Sequence, residues 1–427
     1  MFSPLIGGLQ KTTDYRVVLP FYFYAAISFL VANILLLLHT NITDVNYFNP
    51  YTLAITHAMA LGWGTMIIFG ASHQLLPVLV EGKLDSNTLA YLTFSFAAIG
   101  IPILIYGFYV FNTGYILQAG ATLINVAVIF YLINVFSSSF KSKKRNVHAW
   151  YIVAATLWLF STTFFGLLLV FNFTQNILPQ NSVSYLSIHA HLGLIGWFLL
   201  MVIGVGSRLI PMFLISKYTN DKVLWIIFIL INTSLISFII FKTLQLNTYF
   251  YYFSIVMSLI AIILFANHCK KAHKIRIRKN VDEQMKTSLI SVLQMILPIV
   301  VLIIILSILP NHHQDKIVLL YGFCILFGWI TAIILGMTFK TLPFIVWNKV
   351  YHKKAHAGKT PAPKELFSEK IYHLMLLIYL IGFIAFIVGI IFTNQLIVKI
   401  GAAALLIAAI LYVINTSKVF LHKPQKI

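Results

Sequence analysis

Long apolar runs, separated by short polar breaks, fill almost the whole chain. A hydrocarbon core of roughly 30 Å is crossed by about 20 helical residues rising 1.5 Å each. By that measure the pattern predicts twelve membrane-spanning helices, at 16–39, 51–80, 88–111, 114–136, 149–172, 185–215, 223–241, 248–268, 287–309, 317–347, 371–392 and 395–417. The second, sixth and tenth are the longest, and each carries a proline near its far end, where the ring distorts a helix.

Those three spans share one pattern, Gly-Trp-x6-Gly-x6-Pro. The copies run Gly62-Trp63…Gly70…Pro77, Gly196-Trp197…Gly204…Pro211 and Gly328-Trp329…Gly336…Pro343, with tryptophans 134 and 132 residues apart. The chain has 7 tryptophans, so four fixed positions recurring three times are not chance matches. A fixed period sets the architecture before anything else is read. Four spans fill each interval, and an even number makes successive copies parallel in the membrane. Inverted repeats, common in secondary transporters, need an odd number. The expected fold is an all-α integral membrane protein: a single membrane domain over 1–427, with repeats of approximately 1–140, 141–286 and 287–427 around a pseudo-threefold axis normal to the membrane. Glycine lets helices approach closely and tryptophan fills the space beside them.

Composition agrees, with 60% hydrophobic and 9% charged residues. The formal net charge of +20 raises the question of nucleic acid. Its distribution answers it. Lys141, Lys143, Lys144 and Arg145 follow span four; Lys270, Lys271, Lys274, Arg276, Arg278, Lys279 and Lys286 lie between spans eight and nine; Lys349, Lys353, Lys354, Lys359, Lys364 and Lys370 follow span ten. All fall on one side of a twelve-span topology, whereas a polyanion needs one organised basic face. Basic loops mark the cytoplasmic side, so both termini are expected there, in a bacterial inner membrane. The opening residues do not read as a cleavable signal, and the first span is expected to act as signal and anchor. Cys269 and Cys324 are too few for a disulfide framework, and neither sits in a Cys-x-x-Cys-His haem-attachment sequence.

Topology sorts the 14 histidines. His148, His268, His273, His352, His356, His373 and His422 fall in or beside the basic loops and read as solvated or headgroup-facing. His39, His312 and His313 are near the opposite surface. His57, His73, His189 and His191 remain within spans, where an ionisable side chain is costly and functional by default. His57 and His191 both stand 20 residues before the motif proline, and Phe323 takes that position in the third copy. Two neutral imidazoles at one depth suit the two axial positions of a low-spin haem. His189, two residues from His191, points about 200° away and is expected to face the gap toward span ten. There it suits a second haem or a metal, copper or iron, assisted by His312 and His313. His73 is placed to bond a carbonyl freed by Pro77.

These residues resemble the haem–copper oxidase subunit I superfamily. That family has twelve spans in three four-helix arcs, with ligands on spans two, six and ten. Thr56-His57-Ala58 through Gly70-Ala71-Ser72-His73-Gln74-Leu75-Leu76-Pro77 is similar to the second span of nitric-oxide-reductase-like members. His189-Ala190-His191 with Gly196-Trp197 resembles the family's His-x-His helix. The resemblance implies haem b, with His57 and His191 on a low-spin iron, His189 on a high-spin one, and Lys399 beside the propionates. It departs from the family in two ways: His-x-His lies on span six rather than ten, and no His-Pro-Glu-x-Tyr-like copper sequence occurs. All ten acidic residues fall in termini, loops or span ends, which argues against a proton relay. Arg208 and Lys340, three residues before their prolines, read as snorkelling to headgroups.

The expected function is electron transfer, or nitric-oxide- or oxygen-related redox chemistry, without proton pumping. The partners are the bilayer, a cytochrome or quinol electron donor, and respiratory subunits. Two rival readings stay open: a transporter or channel for haem, metal or a small molecule, and a non-catalytic partner of a respiratory complex.

Overall fold

The computed structural model describes residues 13–41, 46–142, 146–307, 314–351 and 360–424. Its named elements are all helical, and twelve helices are long and apolar enough to cross a bilayer. They are α1 (Tyr15–Leu38), α2 (Pro50–Leu79), α3 (Asn87–Tyr109), α4 (Tyr115–Phe140), α5 (Val147–Gln175), α6 (Ser182–Leu214), α7 (Asp221–Thr243), α8 (Tyr249–Lys274), α9 (Glu283–Ser307), α10 (Asp315–Tyr351), α11 (Glu369–Ile391) and α12 (Gln395–Phe420). Ile226, Ile229, Ile236 and Ile240 of α7, and Leu374, Leu377, Ile381 and Ile384 of α11, make exposed apolar stripes at helical spacing. Such surface belongs in hydrocarbon, and the protein is a multi-pass membrane protein.

Polar residues at the span edges define where helices start. Asn49, Ser86, Asn146, Asn220, Ser368 and Asn394 each accept a bond from the backbone N–H three residues on, satisfying a donor that the first turn leaves open. The ends recur as well. Phe111, Gln245 and Thr393 follow α3, α7 and α11 with φ of 51°, 53° and 53°. In each case the next N–H reaches back five residues: Asn112 to the Gly107 carbonyl, Leu246 to Phe241 and Asn394 to Gly389, all at 2.9 Å. This is the Schellman cap.

The motif prolines belong to the same cap. Gly82 N–H bonds the Pro77 carbonyl at 3.1 Å and Ser216 N–H bonds that of Pro211 at 2.9 Å, with Glu81 and Ile215 left-handed between them. The third copy departs, because α10 runs through Pro343 to Tyr351.

The chain divides into two compact units. The first is built mainly of Ser72–Asp282: the end of α2 and α3 to α8. The second comprises Tyr15–Ala71, Glu283–Gln294 and Val301–Ile427: α1, the start of α2, and most of α9 to α12.

Within these units the later motif glycine always meets the first helix of its own repeat. A Cβ on Gly204 would lie 2.4 Å from Cβ of Tyr151 on α5. In the second unit, one on Gly70 would lie 2.9 Å from Cβ of Phe21 on α1, and one on Gly336 2.4 Å from Ser288 Oγ on α9. The residue two positions on meets an aromatic ring of the fourth helix. Tyr131 donates to Ser72 Oγ at 2.9 Å and Tyr412 to Thr338 Oγ1 at 3.2 Å. In the middle copy the pair is Phe265 and Gly206, where a Cβ would meet the ring at 3.2 Å. Where the partner hydroxyl is missing, the phenol is missing too.

The motif tryptophans are buried. Trp63 stacks on Phe29 at 4.4 Å, meets Tyr412 edge-on at 5.1 Å and donates to Thr331 Oγ1 at 3.1 Å. Trp197 meets Tyr131 edge-on at 6.1 Å.

Candidate cofactor-binding site

Each motif helix winds from α into π geometry at one place. The π segments are Ala58–Thr65, Leu192–Leu199 and Cys324–Ile330, and they begin directly after His57, His191 and Phe323. A π turn inside an α-helix re-aims side chains and frequently marks a functional site.

The two histidines have the same local geometry. His57 Nδ1 lies 2.8 Å from the Leu53 carbonyl oxygen, and His191 Nδ1 lies 2.8 Å from that of Ser187. A carbonyl oxygen only accepts, so Nδ1 carries the proton in both rings. The lone pair is then on Nε2, and the bond to the residue four back fixes the plane of the imidazole. Both rings are half-buried. His191 lies against Phe238 at 4.5 Å with a 41° tilt. Its helix turn packs through Ile188 and Leu192 onto Leu235, flanked by Trp158, Phe165 and Tyr185.

Phe323 shows what the third copy does instead. It is buried and stacked on Phe386 at 4.3 Å, Phe327 at 5.0 Å and Phe383 at 5.4 Å. Tyr379 donates to the Phe327 carbonyl at 2.7 Å and the Gly328 carbonyl at 3.0 Å, covering groups left open where Gly328 leaves helical geometry. The chain's own aromatic rings fill this position.

His189 turns away from His191, as the two-residue offset requires. Its ring is seated on Gly166 of α5, where an added Cβ would come within 2.7 Å of Cε1, 3.3 Å of Nδ1 and 3.6 Å of Nε2. A glycine on the neighbouring helix makes room for the whole imidazole. His73 is buried and meets Tyr131 edge-on at 5.4 Å. Lys399 is exposed in the first turns of α12, and Lys316 donates to Thr393 Oγ1 at 3.0 Å. His312 and His313 lie outside the described residues. Among the described residues no three His, Cys, Asp or Glu side chains converge as a metal site.

One expectation is corrected. His148 and His268, expected among solvated or headgroup-facing histidines, are buried, with 8% and 2% of their surface exposed. The signal lay in the spacing: Phe265, His268, Cys269 and Ala272 form one buried stripe, so α8 packs for a turn beyond its apolar run. Arg208 has its guanidinium 3.9 Å from Glu81, a long and partly solvated pair.

No protein-family model matches the chain, and no curated protein matches it significantly.

Proposed function

We propose that this is a haem-binding membrane protein in which His57 and His191 supply the two axial imidazoles of a low-spin haem. The supporting observation is their matched geometry: two rings at equivalent repeat positions, each with Nδ1–H on the carbonyl four residues back. A metal-ligating histidine characteristically commits its other ring nitrogen to such an acceptor, which fixes the tautomer and raises the basicity of the ligating nitrogen. Two Nε2 lone pairs so prepared fit a bis-histidine haem as a donor set.

Bound haem supplies reversible one-electron exchange. The protein's part is to hold each ring in one orientation and, at His191, to set Phe238 against the ring and Leu235 and Trp158 against its helix turn. Such a shell lowers the local dielectric and so helps set the redox potential. The contact of His189 with Gly166 supports a packing role for that residue.

The recurring glycine contacts, aromatic pairs, π segments and Schellman caps support a threefold repeat of four helices. Tyr131 touches the tryptophan of the second copy and Tyr412 that of the first, each within its own compact unit. Among the described residues, Asp221, Glu283, Asp315 and Glu369 stand at helix starts and the remaining carboxylates lie outside the twelve helices. This distribution favours electron transfer over proton pumping. The charge asymmetry of the loops supports cytoplasmic termini in a bacterial inner membrane. Together with the local likeness of two helices to haem–copper oxidase subunit I, these features support a divergent, electron-transferring relative of that family.

Haem content per chain tests the reading. Full-length protein purified from haem-replete membranes should retain haem, and His57→Ala and His191→Ala should each lose it while eluting as folded protein. Equal haem retention in either variant would remove that histidine from the site.

A further inference from the structure

The turn after α6 and the chain after α8 meet within the first compact unit. Ser216 and Arg276 form an antiparallel β-bridge, and Ile277 N–H bonds the Ile215 carbonyl at 3.1 Å. Two further contacts fasten this corner. The Arg276 guanidinium donates to the His273 carbonyl at 2.7 Å and the Lys279 carbonyl at 3.3 Å, tying the segment to the end of α8. The Tyr218 ring meets buried His268 of α8 edge-on at 5.0 Å.

Successive side chains of an extended segment point to opposite faces. Arg276 is committed to backbone carbonyls on one face, and its neighbours Ile275 and Ile277 stand on the other, 51% and 62% exposed. Ile215, held beside Ile277 by the backbone bond, is 40% exposed. Three isoleucines at one corner therefore lie outside the packed core. The charge around them is one-sided: residues 215–222 and 269–282 hold eight Lys and Arg against two Asp. Arg278 is paired with Asp282 at 3.0 Å. Lys217, Lys270, Lys271, Lys274 and Lys279 are exposed and, among the described residues, make no ion pair.

The depth of the corner follows from the helix that leads into it. With 26 residues α8 is about 39 Å long, beyond a hydrocarbon core of roughly 30 Å and within the 40–45 Å that includes the headgroups. We propose that this corner docks the anionic phospholipids of the leaflet at its end of α6 and α8. Ile215, Ile275 and Ile277 enter the boundary between headgroup and acyl chain, and the lysine ammonium groups meet lipid phosphate. Water alone would leave the isoleucines solvated, and a zwitterionic surface would leave the lysines uncompensated. A nucleic acid would compensate the lysines but offer the isoleucines no apolar partner.

The test uses the full-length chain in detergent, titrated with phosphatidylglycerol or phosphatidylcholine and read by native mass spectrometry as lipid bound per chain. Wild type should bind phosphatidylglycerol at least about tenfold more tightly than phosphatidylcholine. Lys270→Gln/Lys271→Gln/Lys274→Gln should abolish that preference. Ile275→Ser/Ile277→Ser should weaken binding of both lipids and leave the preference in place. Lys141→Gln, at the end of α4, should bind as wild type does. These variants alter exposed side chains only, so each should keep the wild-type melting temperature. Equal binding of the two lipids by wild type, or an undiminished preference in the lysine variant, overturns the inference. So does loss of self-association in the isoleucine variant with lipid binding unchanged, which would assign the corner to a second copy of the chain.

Discussion

His191 holds its Nδ1 2.8 Å from the carbonyl oxygen of Ser187, and the same distance separates His57 from Leu53. In both helices the bond spans the last α turn before the π segment. The α turn supplies the acceptor and the π turn begins at the next residue, so the ring stands where the helix changes pitch. This repeated arrangement is the observation on which the proposed axial pair rests.

Gly166 and His189 should be energetically coupled. Gly166→Ala pushes a Cβ within 2.7 Å of the imidazole, an overpacking that costs about 1–3 kcal/mol. In the double variant Gly166→Ala/His189→Ala most of that cost should disappear. A double-mutant cycle by thermal denaturation in detergent measures the coupling. Additive effects would show that His189 is not held by α5.

The later motif glycines should tolerate alanine poorly, and Gly336 least. Its Cβ would meet Ser288 Oγ at 2.4 Å and the backbone carbonyl of Gln284 at 2.8 Å. Gly322 is the contrast, with nothing within 4 Å. Gly322→Ala should stabilise α10 by up to about 1 kcal/mol through helix propensity. Melting temperatures of the two variants should move in opposite directions.

Ile215 caps α6 at φ 53°, a left-handed conformation that a β-branched residue adopts at a cost of about 1–2 kcal/mol. Ile215→Gly should therefore raise stability, measured as a higher thermal midpoint. A lower midpoint would mean that side-chain contacts outweigh the backbone term.

Tyr131→Phe should cost about 1 kcal/mol by removing the bond to Ser72. Phe265→Tyr should be no better than neutral, because Gly206 offers no hydroxyl. Restoring a partner with Gly206→Ser in the same chain should not rescue it, since a Cβ there already meets the Phe265 ring at 3.2 Å.

The spans and the repeated helices were legible in the sequence because apolar length and fixed spacing are both local signals. The bounds of α2, for example, are Pro50–Leu79 against an expected 51–80. The orientation of His189 was not legible, since the offset from His191 gives an angle and not a neighbour. Only Gly166, 23 residues earlier on another helix, decides which neighbour it meets. His148 and His268 were misplaced for a related reason. Apolar runs end where hydrophobicity ends, whereas α8 continues to Lys274 and buries one face of its polar extension. The π turns had no sequence signal beyond the recurring Gly-Trp pair, and the role of Pro77 and Pro211 as carbonyl acceptors of a cap needed the backbone to be seen.

The most direct test of the proposed axial pair is a ligand exchange read in the near-infrared and by redox titration. The oxidised wild-type protein should give a bis-imidazole signature. His57→Met and His191→Met should each convert it to a histidine–methionine signature and raise the midpoint potential, as thioether ligation does in haem proteins. An unchanged bis-imidazole spectrum in either methionine variant would contradict the assignment of His57 and His191 to one iron.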